Sequence, residues 1–101
     1  MDDKIKEILK WSNPLKAKQK AKKWLGNDVK LFISSKPSKK YDIYNPNTDK
    51  YISFGAMGYE DYTKHNDEAR RDRYLKRASN IKGNWKDDKY SPNNLSINIL
   101  W

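Results

Sequence analysis

The sequence predicts an α+β fold: a small antiparallel hairpin or sheet packed by a basic helix, with lysine-rich helices ahead of it. Three observations carry this. Apolar residues recur at helical spacing near the N-terminus and again in 67–79, while two strand-like runs flank a Pro/Asn/Asp turn in 40–54. Only 36% of the 101 residues are hydrophobic but 13% are aromatic, so the core is small and rich in rings.

Residues 3–11 place Ile5, Ile8 and Leu9 on one stripe with Lys4, Lys6, Glu7 and Lys10 outside it. Asn13 is a good N-cap and Pro14 suits the first helical position, so a second helix runs from there to Leu25, stopped by Gly26. Val29, Leu31 and Ile33 alternate with Lys30 and Phe32, which makes 29–34 the candidate third strand. Lys36-Pro37-Ser38 breaks it. Lys40–Tyr44 and Lys50–Phe54 then form the hairpin around Asn45-Pro46-Asn47-Thr48-Asp49. Gly55 and Gly58, set among aromatics, suggest a turn where backbone passes close to another element. Asn66 is the expected cap of a helix over 67–79, with Asp67 and Glu68 in its first turn. Residues 80–101 read as an irregular tail ending in Leu95, Ile97, Ile99, Leu100 and Trp101. The division expected is a helical, lysine-rich appendage over 1–28 and an α+β domain over 29–101.

Composition excludes several chemistries. With no cysteine there are no disulfides, thiolate zinc sites or cysteine nucleophiles. The start Met1-Asp2-Asp3-Lys4 lacks the basic and apolar blocks of a signal peptide, so secretion by that route is not expected. No apolar run approaches the roughly 20 residues of a membrane span. Nothing resembles a phosphate loop or a nucleophile elbow, and no cofactor is called for. Asp61, His65 and Glu68 would share a face if that stretch were one helix, as in a metal-assisted nuclease. Asn66 as a cap breaks it, so no catalytic or metal-ligating residue is assigned.

The net charge of +9 points to polyanions or acidic surfaces. Two clusters concentrate it. Lys16, Lys18, Lys20, Lys22 and Lys23 lie in a stretch with no acid between Glu7 and Asp28, read as nonspecific phosphate contacts, with a membrane-surface helix or a solvated helix docked by Trp24 and Leu25 as the competing readings. All four arginines fall within eight residues, Arg70, Arg71, Arg73 and Arg77. Arginine supplies a planar fork that lysine lacks. At about 100° per residue Arg70, Arg73 and Arg77 share a narrow arc, with Lys76 nearby, while Arg71 lies on the side expected to be buried. The competing reading pairs these arginines with Asp61, Asp67, Glu68 and Asp72 as a solvated face. For Arg71 it is a buried side chain fixed to a carboxylate or to carbonyls, holding helix to hairpin.

The stretch Phe54-Gly55-Ala56-Met57-Gly58-Tyr59-Glu60-Asp61-Tyr62-Thr63-Lys64-His65, continuing through Arg70-Arg71 to Arg73–Ala78, resembles a family of short uncharacterised proteins of large nucleocytoplasmic DNA viruses. The resemblance covers roughly 29–101 and is most specific in the Gly-Tyr-x-Asp-Tyr-Thr-x-His block. It implies a viral origin, with the virion or the infected cell's cytoplasm or nucleus as location, and no particular chemistry. It also implies that Asp61, Tyr62, Thr63, His65, Arg71, Tyr74 and Arg77 act together as a local structural network. The function expected is a non-enzymatic basic protein that contacts nucleic-acid phosphates through both clusters. The alternative is a minor capsid or internal scaffold component docking to acidic viral protein surfaces.

Overall fold

A computed structural model describes residues 2–101. Helix α1 (Asp2–Trp11) runs into α2 (Pro14–Leu25) through a sharp break. The break follows from local chemistry: the Asn13 side chain accepts the Leu15 and Lys16 amides at 3.1 and 3.3 Å, and Pro14 occupies the first turn. Gly26, at φ +102°, ends α2 and donates to the Lys22 carbonyl at 2.8 Å.

Strands β1 (Leu31–Ile33), β2 (Lys39–Asn45) and β3 (Lys50–Ala56) form an antiparallel sheet in that order. The third strand is thus present, but shorter than 29–34. Tyr41 pairs with Phe54 and Ile43 with Ile52, and this register buries Tyr41, Ile43 and Phe54 on the core face. Phe32 and Tyr51 form an aromatic pair on the exposed side.

A short α3 (Tyr62–His65) leads into α4 (Glu68–Ser79). Asn66 closes α3 rather than capping α4. It adopts a left-handed conformation, φ +54°, which asparagine tolerates. Asp67 is the true cap, accepting the Ala69 and Arg70 amides at 3.0 and 3.2 Å.

The expected irregular tail is largely helical. After a 3₁₀ turn at Trp85–Asp87, α5 (Pro92–Leu95) continues directly into a π-helical turn, Ser96–Leu100. Ser91 caps it, with Pro92 next, repeating the Asn13-Pro14 device. The asparagines lower helix propensity, yet Leu95, Ile99 and Leu100 are buried and hold the segment in place.

Helices α1 and α2, expected in the N-terminal appendage, contribute to the core. Ile8 of α1 and Ala17 and Ala21 of α2 are fully buried in one cluster with Tyr41, Ile43, Phe54, Leu95, Ile99 and Leu100. The two alanines lie one turn apart on one side of α2, where their small side chains let it pack closely on the terminal helix. No helix of the described residues is long and apolar enough to cross a membrane.

Tyr41 has a measurable signature. Its hydroxyl donates to Ser12 Oγ at 2.7 Å, and burial pushes the phenol well above its ordinary value against that hydrogen bond. Unfolded phenols ionise near about pH 10. Folded Tyr41 keeps its proton there, so the unfolded state binds fewer protons and stability falls as pH rises beyond that point. Urea unfolding at about pH 9 and 11 should show this loss, and Tyr41→Phe should reduce it.

Candidate nucleic-acid interface

Among the described residues the arginines of α4 form no ion pair with their expected acids. Arg70, Arg73 and Arg77 line one cleft of about 680 Å³ between α4, the end of the hairpin and the terminal helix. Arg70 pairs with Glu60 at 3.1 Å, an acid sequence reasoning did not single out. Both groups are more than a third exposed, so the pair contributes at most about 1 kcal/mol. Arg77 lies over the Tyr74 ring at 5.6 Å. Among the described residues Arg73 and Arg77 make no ion pair. The acids expected opposite them are used elsewhere: Asp61 bonds Lys40, Asp67 caps α4, and Glu68 accepts the Tyr62 hydroxyl. Asp72 is exposed and in no ion pair among the described residues. Lys76 is exposed but does not line the cleft.

The lysines of α2 divide by face. Lys18 and Lys22 are exposed, whereas Lys16, Lys20 and Lys23 line a second cleft, of about 520 Å³, against Tyr62 and Thr63. None of the five is in an ion pair among the described residues. Lys20 is half-buried, and its ammonium is held below the ordinary lysine value by burial first and the neighbouring Arg71 charge second. The 59–63 segment contributes to both clefts: Tyr59–Asp61 line the first, and Tyr62 and Thr63 the second.

The residues expected to act as one network fall into two groups. Tyr62, His65, Arg71 and Tyr74 gather around Trp101. Tyr74 stacks on the Trp101 ring at 4.1 Å, and His65 lies 5.1 Å from it. Arg71 donates from Nε to the Trp101 carbonyl at 2.7 Å and sits 5.3 Å from the Tyr62 ring. Arg71 therefore ties α4 to the C-terminal residue through a carbonyl and to α3 through a ring, rather than to the hairpin.

Asp61 belongs to the other group. Its carboxylate receives Lys40 Nζ at 3.1 Å and the Thr63 hydroxyl, with both charged side chains almost fully buried. Lys40 also donates to the Tyr59 carbonyl at 2.6 Å and the Trp11 carbonyl at 3.4 Å. Thr63 Oγ1 in turn lies 3.2 Å from Ser12 Oγ and accepts the Asn13 amide at 2.9 Å. The α1–α2 break is thus bonded to α3 and, through Tyr41 and Lys40, to the sheet. Lys40, Ser12 and Trp101 do not stand out in the sequence. A lysine in a strand reads as solvated, and nothing local marks Ser12 as the partner of a residue 51 positions away.

Asp61, His65 and Glu68 do not converge on a metal site. His65 Nδ1 accepts the Asp67 amide at 2.9 Å, which puts the proton of the neutral ring on Nε2. Burial, then the nearby Arg70 charge, hold the imidazole below its ordinary value. Its Nε2 is buried without a partner among the described residues. No group of three or more His, Asp or Glu among those residues is placed to hold a metal.

Residues 29–78 match a family model described as a family of unknown function (DUF5754). That span runs from the start of the sheet region nearly to the end of α4, so it holds Lys40, Asp61 and all four arginines but neither α2 nor Trp101. No curated protein and no solved structure matches the chain.

Proposed function

We propose that this is a non-enzymatic basic protein that binds nucleic acid through its phosphates. The observation that carries the reading is uncompensated charge. Of the nine cations assigned to the contact surface (Lys16, Lys18, Lys20, Lys22, Lys23, Arg70, Arg73, Lys76 and Arg77), only Arg70 is in an ion pair among the described residues. Following the resemblance of 29–101 to viral proteins, the setting is the infected cell or the virion, with the viral genome as polyanion.

Binding of labelled double- and single-stranded DNA, followed by fluorescence anisotropy across a salt series, tests this. Affinity should fall steeply with salt and depend little on sequence. For every phosphate that a variant no longer neutralises, the log–log slope should shrink by about 0.9 on duplex and about 0.7 on single strands. Replacing the five α2 lysines with glutamine should therefore flatten the slope by up to about 4.5 on duplex and about 3.5 on single strands. Binding that ignores salt, or none at all, would sink the proposal and move the basic faces to an acidic protein partner in a capsid or scaffold.

A further inference from the structure

The second cleft differs from an ordinary basic surface. Its lining contains three ammonium groups, Lys16, Lys20 and Lys23, and no carboxylate. Lys20 Nζ and the Arg71 guanidinium lie 6.0 and 5.3 Å from the centroid of one ring, Tyr62. Two like charges are thus gathered about a single ring; Glu68 accepts the hydroxyl of that ring but is not part of the cleft lining. Asp61, behind the wall, draws on Lys20 but is already bonded to Lys40 and Thr63. Lys20 is half-buried, so water compensates it only partly. A half-buried ammonium flanked by two exposed ones, in a lining without a carboxylate, is complementary to an anion.

The rest of the lining narrows the anion's class. Trp24 and Tyr62 supply aromatic surface, and Gln19 and Asn98 supply amides. Asn98 Nδ2 donates to the Asn94 carbonyl at 2.9 Å, which leaves its Oδ1 with no protein partner among the described residues. Gln19 is exposed and its amide is likewise unengaged among them. Rings offer stacking that any base accepts, Gln19 offers the paired donor and acceptor of a base edge, and Asn98 offers an acceptor.

We propose that this cleft binds one unpaired nucleotide of a nucleic-acid strand, its phosphate on Lys16, Lys20 and Lys23, its base against Trp24 or Tyr62, and its edge within reach of Gln19 and Asn98. The inference rests on the reading of α2 as a phosphate-contacting helix and gives that helix a defined pocket. It also gives a preference for single strands over duplex.

The test is titration of the full chain with adenosine 5′-monophosphate, adenosine and inorganic phosphate, followed by tryptophan fluorescence and calorimetry. The nucleotide should bind about tenfold or more tightly than either part, as ring stacking and charge-assisted contacts together imply. Lys20→Gln should weaken nucleotide binding about tenfold, whereas Lys6→Gln, the same charge change on α1 outside the cleft, should not. Gln19→Glu places a carboxylate in the acid-free cleft from an exposed position, so the fold is unaffected and binding should be lost. Nucleotide no tighter than inorganic phosphate, or equal effects of Lys20→Gln and Lys6→Gln, overturns the pocket. If polymer binding then keeps its salt slope, the phosphate-binding reading survives. Nucleotide binding without any polymer binding overturns that reading and leaves the pocket standing.

Discussion

Asp61→Ala is expected to destabilise the protein by about 3–5 kcal/mol. Lys40 and Asp61 are 3% and 1% exposed at their side chains, so removing the carboxylate leaves an ammonium in the interior held only by the Tyr59 and Trp11 carbonyls. Thr63 loses its acceptor at the same time. Burial already holds Lys40 below the ordinary lysine value, and Asp61 opposes that shift. Without Asp61 the folded ammonium falls further, so between its folded value and the unfolded one near about 10.4 the unfolded state binds more protons. The variant should therefore regain stability as pH rises toward about 10, which an ordinary cavity would not do. Urea unfolding at several pH values measures both effects. Replacing both partners, Lys40→Met with Asp61→Leu, should cost less than Asp61→Ala alone, since breaking a buried pair is worse than substituting it. A loss below about 1 kcal/mol for Asp61→Ala would show that water reaches the pair.

Gly55→Val should cost about 3 kcal/mol, from two sources. The backbone sits at φ +81°, which a β-branched residue strongly resists, and a Cβ there would lie 2.9 Å from Leu100 Cδ1 and 3.2 Å from Lys40 Cβ. Leu100 is part of the core and Lys40 is fixed to Asp61, so neither can readily yield. Gly58→Val is the control. Its φ of +89° carries similar backbone strain, but nothing lies within 4 Å of the added carbon. It should lose only the backbone part, about 1–2 kcal/mol. Equal losses in the two variants, by urea or thermal unfolding, would mean that the terminal helix does not press on β3 as described.

That pair of glycines shows where the sequence stops being informative. Both sit among aromatics, and both suggest close backbone passage, but only Gly55 meets another element. Which glycine is crowded depends on Leu100, 45 residues on, and local pattern carries no such information. Signals confined to a few neighbouring residues are readable. Asn13-Pro14 and Gly26 bound α2 as their chemistry requires, and the Pro/Asn/Asp run closes the hairpin. At Asn66-Asp67 either residue could cap, and the choice turns on which one can enter the left-handed region. Ser91-Pro92 is the same signal as Asn13-Pro14, obscured by asparagines whose helix is held by burial of Leu95 and Ile99.

The candidate site divides the same way. Helical spacing places Arg70, Arg73 and Arg77 together, and they share a cleft. It does not show that Lys16, Lys20 and Lys23 face Tyr62, because that requires knowing how α2 lies on α3. Nor does it show that Arg71 finds the Trp101 carbonyl.

The shared core also sets an order of events during synthesis. Ile8 and Leu100 belong to one cluster, so the interior cannot close until residue 100 has been added, and its contacts bridge nearly the whole chain. Closing such long loops is slow compared with forming a helix. Through that interval the lysines of α2 are already present on the nascent chain while the surface that seats α2 is not. A polyanion nearby can therefore meet this helix before the protein around it exists, and tertiary closure then competes with that encounter.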